Sequence, residues 1–198
     1  MRVKTDERRE AILQAAWEVF KTTGFERATM SEISRLVGGS KATLYGYFQS
    51  KEELFATALE RAIQERAEAP FLELQSSGTL STCLLRFARA YLDVRLARDM
   101  IAVSRALICE ADRTDLGAAL QSRFVTPQWR RLADILEQRM AAGELRHSDP
   151  YVAAVHFRGL IESDILERRL HSDAVIDAKA IEDAVVSGVE AFLRAYAK

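Results

Sequence analysis

Apolar residues recur along this chain at the three- and four-residue spacing of helices, and nothing alternates with period two for long enough to predict a strand. A first helix is predicted over about 5–21, with Ile12, Ala16, Val19 and Phe20 on one face; Gly24-Phe25 should end it and fold an aromatic ring back. Thr29 and Glu32 form a T-x-x-E capping pattern ahead of a short helix whose inward face is Ile33, Leu36 and Val37. Gly38 and Gly39 stop that helix where positive φ is easiest. Ser40 can cap the next one, in which Leu44 and Phe48 point inward. Ser50 and Glu53 repeat the capping pattern and open a helix over about 51–67, carrying Leu54, Phe55 and Ala58.

Ala69-Pro70 and the run from Ser76 to Thr79 read as breaks. An amphipathic helix over about 79–97 follows, with Leu84, Phe87, Tyr91 and Val94 in register, then helices over about 100–110 and 116–125. Thr126-Pro127 gives a cap with proline at the first helical position, opening a helix to about 142. Gly143 ends it, Asp149-Pro150 starts another to about 170, and the last spans about 177–196. The expectation is an all-α chain of nine or ten helices with no solenoid repeat.

The second short helix leaves Lys41, Ala42, Thr43, Tyr45, Gly46 and Tyr47 outward. An ordinary solvent-facing helix carries Glu and Lys, whereas this face offers low bulk and hydroxyl groups, which suits close approach to base edges and phosphates. Two short helices joined by a tight glycine turn, the second presenting such a face, describe a DNA-binding helix-turn-helix. A plain helical hairpin is the alternative. Charge is compatible with the DNA reading: the net value is −1, but residues 1–51 hold nine Lys/Arg against six Asp/Glu, leaving an acidic remainder.

Other classes find less support. Cys83 and Cys109 have no metal-ligand spacing and read as reduced, packed thiols. No apolar run approaches membrane-spanning length and no signal-peptide core is present, so a soluble cytoplasmic protein is expected. Glu144-x-x-His147 lies off any helix without a second copy, His156 reads as a packed or surface histidine, and Gly38-Gly39-Ser40-Lys41 lacks phosphate-loop spacing. No Ser/His/Asp or Cys/His set is in register, so no enzyme activity, cofactor or metal is expected.

Residues 9–54 resemble the TetR family of transcriptional regulators. The motif residues are Ile12-Leu13, Ala15-Ala16, Phe20, Gly24-Phe25, Thr29, Ile33, Gly38, Ser40-Lys41, Thr43-Leu44-Tyr45, Tyr47-Phe48, Ser50-Lys51 and Leu54. Two departures concern packing: Gly39 stands where the family usually has a valine plugging the turn, and Ser34 where a buried alanine is usual. The resemblance implies that Thr29 contacts phosphate from a helix N-terminus and that Lys41, Ala42 and Thr43, behind the cap Ser40, face bases in the major groove. It further implies that Tyr45 and Tyr47 pack on sugar and phosphate and that Lys51 binds phosphate.

Between 106 and 170, Glu110, Gly143-Glu144-Leu145, Asp149-Pro150, Ala153-Ala154, Phe157 and Gly159-Leu160 are similar to an AefR-like C-terminal domain of that family. A DNA-binding domain over 1–54 and a ligand-binding and dimerisation domain over 55–198 are expected. The resemblance implies a homodimer formed by the last two helices and a cavity for an unidentified small-molecule effector. Two features fit the interface: a small-residue line of Val155, Gly159 and Ser163 on one helix, and an apolar stripe of Ile181, Val185, Gly188 and Phe192 on the last. Packing of that stripe within the monomer is the alternative. Phe87, Tyr91, Cys109, Phe124, Trp129, Phe157 and Ile161 could line the cavity or fill a solid core, with Arg105 or Glu162 as polar anchors. The functional expectation is a ligand-released repressor on a near-palindromic operator. Its rival is a helical binding protein or enzyme whose N-terminal helices mediate protein contacts.

Overall fold

The structure, a computed structural model, describes residues 2–75, 77–109, 115–173 and 175–198; the side chains of 2–5, 65, 116, 123 and 124 also lie outside the description. Among the described residues there are eleven α-helices and one π-helical turn, with no strand beyond a single bridge between Leu145 and Ala197. The chain forms two compact units, 1–65 with 98–120 and 66–97 with 121–198. This differs from the division expected at residue 54, because a later pair of helices joins the N-terminal segment.

The first unit is built from α1 (Arg2–Arg27), α2 (Met30–Val37), α3 (Lys41–Tyr47), the first part of α4 (Lys51–Gln75), α6 (Arg98–Cys109) and α7 (Leu116–Leu120). Gly24, at φ 79° and ψ 164°, breaks α1 and turns Phe25 inward, where its ring lies 4.9 Å from that of Phe55. Phe20 meets Phe55 edge-on at the same separation. With Ile12, Ala16, Ile33, Leu44, Phe48 and Leu54 fully buried, this aromatic group is the core on which the two short helices rest. The inward face of α2 differs from expectation: Leu36 is exposed, while Met30 and Ser34 are buried beside Ile33. Ser34 occupies its apolar surroundings at low cost because its hydroxyl donates to the Ser31 carbonyl at 2.9 Å.

The second unit comprises the end of α4, α5 (Leu80–Arg95), the π-helical turn (Gln121–Val125), α8 (Thr126–Ala141), α9 (Pro150–Glu162), α10 (Ile165–His171) and α11 (Ala178–Tyr196). Helix α11 packs along α9 and α5, and α8 packs along α9. Gly188 sets the closeness of the first pair, since a Cβ there would stand 2.7 Å from the Leu160 carbonyl oxygen.

Three predicted boundaries are corrected. Pro70 lies inside α4 rather than ending it; its missing N–H removes one ladder bond, but Pro70, Phe71 and Leu74 are buried, and the Phe71 ring meets Phe87 edge-on at 5.3 Å. Thr126 is not a cap, because the chain enters α8 helically from the π-helical turn through Val125 at φ −75° and ψ −49°. The helix predicted to about 170 is two helices, divided at Ser163, whose φ of 45° and ψ of −138° no α-helix accommodates.

Candidate nucleic-acid interface

Both joints around α3 are fixed by local chemistry. Thr29, in extended conformation, accepts the Glu32 N–H at 3.2 Å and so starts α2. Gly38 ends it in the left-handed region at φ 69° and ψ 47°. Its N–H reaches the Arg35 carbonyl at 3.2 Å and that of Gly39 reaches Ser34 at 3.0 Å, the paired bonds of a Schellman turn. Ser40 then accepts the Thr43 N–H at 3.0 Å, and the two hydroxyls meet at 2.9 Å. At the far end, Ser50 accepts the Glu53 N–H at 3.1 Å while the Glu53 carboxylate accepts the Gln49 N–H at 2.6 Å. A seven-residue helix is too short to persist alone, so these caps and two buried anchors, Leu44 and Phe48, hold it.

With those anchors inward, Ser40, Lys41, Ala42, Thr43, Tyr45 and Gly46 form an exposed face, and Tyr47 is half-buried at its edge. Thr29 is exposed too. Tyr45, 47% exposed, projects a large ring into solvent, a placement that costs apolar hydration unless a partner covers it.

Lys51 also makes contacts within the protein. Its ammonium group donates to the carbonyls of Phe25 at 2.9 Å and Glu26 at 3.3 Å, and lies 4.3 Å from the centre of the Phe25 ring. It therefore closes the end of α1 and fastens it to the start of α4. Two arginines on α1 also pack at this site. Arg8 donates to the Gly38 carbonyl at 3.2 Å, and the Arg9 guanidinium lies 5.1 Å from the centre of the Phe48 ring.

In the second unit Phe87, Trp129, Phe157 and Ile161 are buried together, with Tyr91 packed against them. Trp129 meets Tyr91 edge-on at 5.2 Å, and Phe87 and Phe157 are 6.1 Å apart. Glu162 sits at the rim of this group. Tyr91 donates to its Oε1 at 2.5 Å, Arg158 donates to Oε2 at 3.1 Å, and Arg95 stands 3.8 Å from Oε1. Burial, reinforced by the negative charge of Glu162, holds the Tyr91 hydroxyl far above the ordinary phenol range. Arg105 and exposed Cys109 are on α6 in the first unit; the side chain of Phe124 lies outside the described residues.

The residues expected at a subunit interface separate into two sets. Val185, Gly188 and Phe192 belong to the monomer's own core, with the partly buried Ile181 packed on it. Val155, Gly159 and Ser163 are exposed, but the break at Ser163 interrupts their line. Among the described residues no helix is long and apolar enough to cross a membrane. His156 is hydrogen-bonded through Nδ1 to the Tyr196 hydroxyl at 2.6 Å, and the Glu144 carboxylate pairs with Arg139 at 2.8 Å.

Comparison with known proteins places this geometry. Residues 12–58 match the profile of bacterial regulatory proteins of the tetR family, and residues 82–198 match that of the AefR-like transcriptional repressor C-terminal domain. The HTH-type transcriptional regulator YfiR of Bacillus subtilis is 27% identical over 196 residues, covering 98% of this chain and 91% of that one. A crystal structure of a TetR-family regulator from Mesorhizobium loti superposes with a TM-score of 0.88 at 26% identity, covering 98% of each chain. The flavonoid-responsive regulator FrrA superposes with a TM-score of 0.73 at 31% identity, covering 97% of this chain and 98% of its own.

Proposed function

Since this chain belongs to the TetR family of DNA-binding transcriptional regulators, we propose that it acts as a homodimeric repressor released from a near-palindromic operator by a small molecule. The observation that carries the reading is the outer face of α3: small and hydroxyl-bearing side chains from Ser40 to Tyr47, held rigid by capped joints at both ends. Lys41, Ala42 and Thr43 read base edges, Tyr45 and Tyr47 pack on sugar and phosphate, and Thr29 meets a phosphate at the start of α2. Lys51 acts indirectly, by fixing α1 against the start of α4. Two such heads related by two-fold symmetry call for half-sites on one face of the duplex, separated by about 34–36 Å or a multiple of it.

Repression is supported by the match of residues 82–198 to a repressor C-terminal domain. A small-molecule effector is supported by similarity to FrrA, whose name records a response to flavonoids, and by the aromatic group of Phe87, Tyr91, Trp129 and Phe157 beside the buried carboxylate of Glu162. Ile161 belongs to the same proposed surface. Helix α4 contains residues of both units and is the proposed route by which effector binding alters the spacing of the heads. The effector acts only through its differential affinity for the two spacings.

The test is a binding titration on a duplex selected from random DNA. Tyr45→Ala, on an exposed position, should weaken binding by about 1–3 kcal/mol without changing the melting temperature. Unchanged affinity would remove α3 from the interface.

A further inference from the structure

The turn between α2 and α3 is completed by a side chain from outside it. Arg8, on α1, donates through Nη2 to the Gly38 carbonyl at 3.2 Å. A Cβ built on Gly39 would stand 2.7 Å from that same nitrogen, closer than real Cβ atoms approach a neighbour. Any side chain at residue 39 would therefore displace the guanidinium, and its absence admits it. The contact is favourable for two reasons. The Gly38 carbonyl lies at the C-terminal end of α2, where orphan acceptors and the helix dipole both attract a cation. Guanidinium also has five N–H donors in a planar fork, so one bond to Gly38 leaves others for a second acceptor.

The location decides what that acceptor would be. The turn runs directly into Ser40 and Lys41, the leading residues of the face assigned above to DNA, and Arg8 is only half-buried. Arg9, the next residue, lies instead beside Phe48, its guanidinium 5.1 Å from the ring centre. We propose that Arg8 is a DNA-contacting residue: it locks the turn through Gly38 and offers its remaining donors to a backbone phosphate beside the recognition helix, with Gly39 as the vacancy that lets it in. The proposal rests on the DNA-binding reading.

The experiment is salt-dependent binding to a labelled mixed-sequence duplex of about 30 base pairs, followed by fluorescence anisotropy from about 50 to 200 mM NaCl. Each phosphate neutralised adds about 0.9 to the slope of log affinity against log salt. Arg8→Gln keeps an N–H for Gly38 but removes the charge, so the slope should fall by about 0.9 per bound subunit while the melting temperature holds. Arg8→Lys should keep the wild-type slope. Gly39→Val leaves the charge in the chain but excludes it from the turn, and should lose the same slope even if Arg8→Gln does not fold. A wild-type slope in either Arg8→Gln or Gly39→Val overturns the proposal. A wild-type protein that binds no duplex at any salt overturns the DNA-binding reading itself, and this contact with it.

Discussion

At Gly188 the close approach that a missing side chain permits is made within the monomer. Its lack of a side chain allows α11 to lie against the backbone of α9, with the Leu160 carbonyl oxygen 2.7 Å and the Ile161 Cα 3.0 Å from where a Cβ would be. Backbone atoms inside a packed helix cannot step aside as a flexible side chain can. Gly188→Leu is therefore expected to lower folding stability by about 1–3 kcal/mol or more, measured by urea denaturation, through overpacking of the monomer. A variant as stable as the wild type would mean that α9 and α11 are not in this contact. The sequence displayed the small-residue stripe, but helical periodicity reports only that a face is buried, not which chain buries it. The same limit applies to Lys51: its place at the start of a helix was plain, yet the two carbonyls it closes lie 25 and 26 residues away. Gly38 is the opposite case, since a local conformational demand was readable from the glycine itself.

At the scale of elements, capping chemistry was the most legible signal. Thr29, Ser40, Thr79, Asp149 and Asp177 each accept an N–H from three residues on, starting α2, α3, α5, α9 and α11. Helix ends were harder to read where tertiary burial opposed local preference. Pro70 continues α4 because its neighbours are buried, and Thr126 fails to cap because a π-helical turn leads directly into α8. Ser163 gave no sign of a break, being neither glycine nor followed by proline, yet its φ of 45° and ψ of −138° divide α9 from α10. That conformation costs an L-residue about 1–3 kcal/mol. Ser163→Gly should accordingly raise the stability of the second unit by about 1 kcal/mol, read as a higher thermal midpoint. A lower midpoint would show that the serine is not strained there. The buried Glu162 next to it, held by Tyr91 and Arg158, ties the end of α9 to α5 and helps explain why the chain accepts the break.

For the whole molecule, function requires two copies of the α3 face presented together. The core residues of α11 pack within the monomer, so the proposed interface falls to the exposed outer side of α9, where Val152 and Val155 are 44% and 42% exposed. An isologous contact sets the same patch against itself. Val155→Glu would then place like charges near the two-fold axis and should yield monomers by sedimentation velocity with helix content intact; a dimer as tight as the wild type would move the interface off α9. Two-fold association and effector release were implied by resemblance to a family rather than by spacing, because neither leaves a periodic trace in one chain. The DNA-facing helix did leave one, in the contrast between its two buried anchors and its small, hydroxyl-rich outer face. The most direct measurement is the affinity of the effector-free protein for a duplex selected from random DNA against a scrambled competitor near physiological salt. Preference for the selected duplex by a factor of about 10³ or more is predicted, and equal affinity for the two would contradict the account.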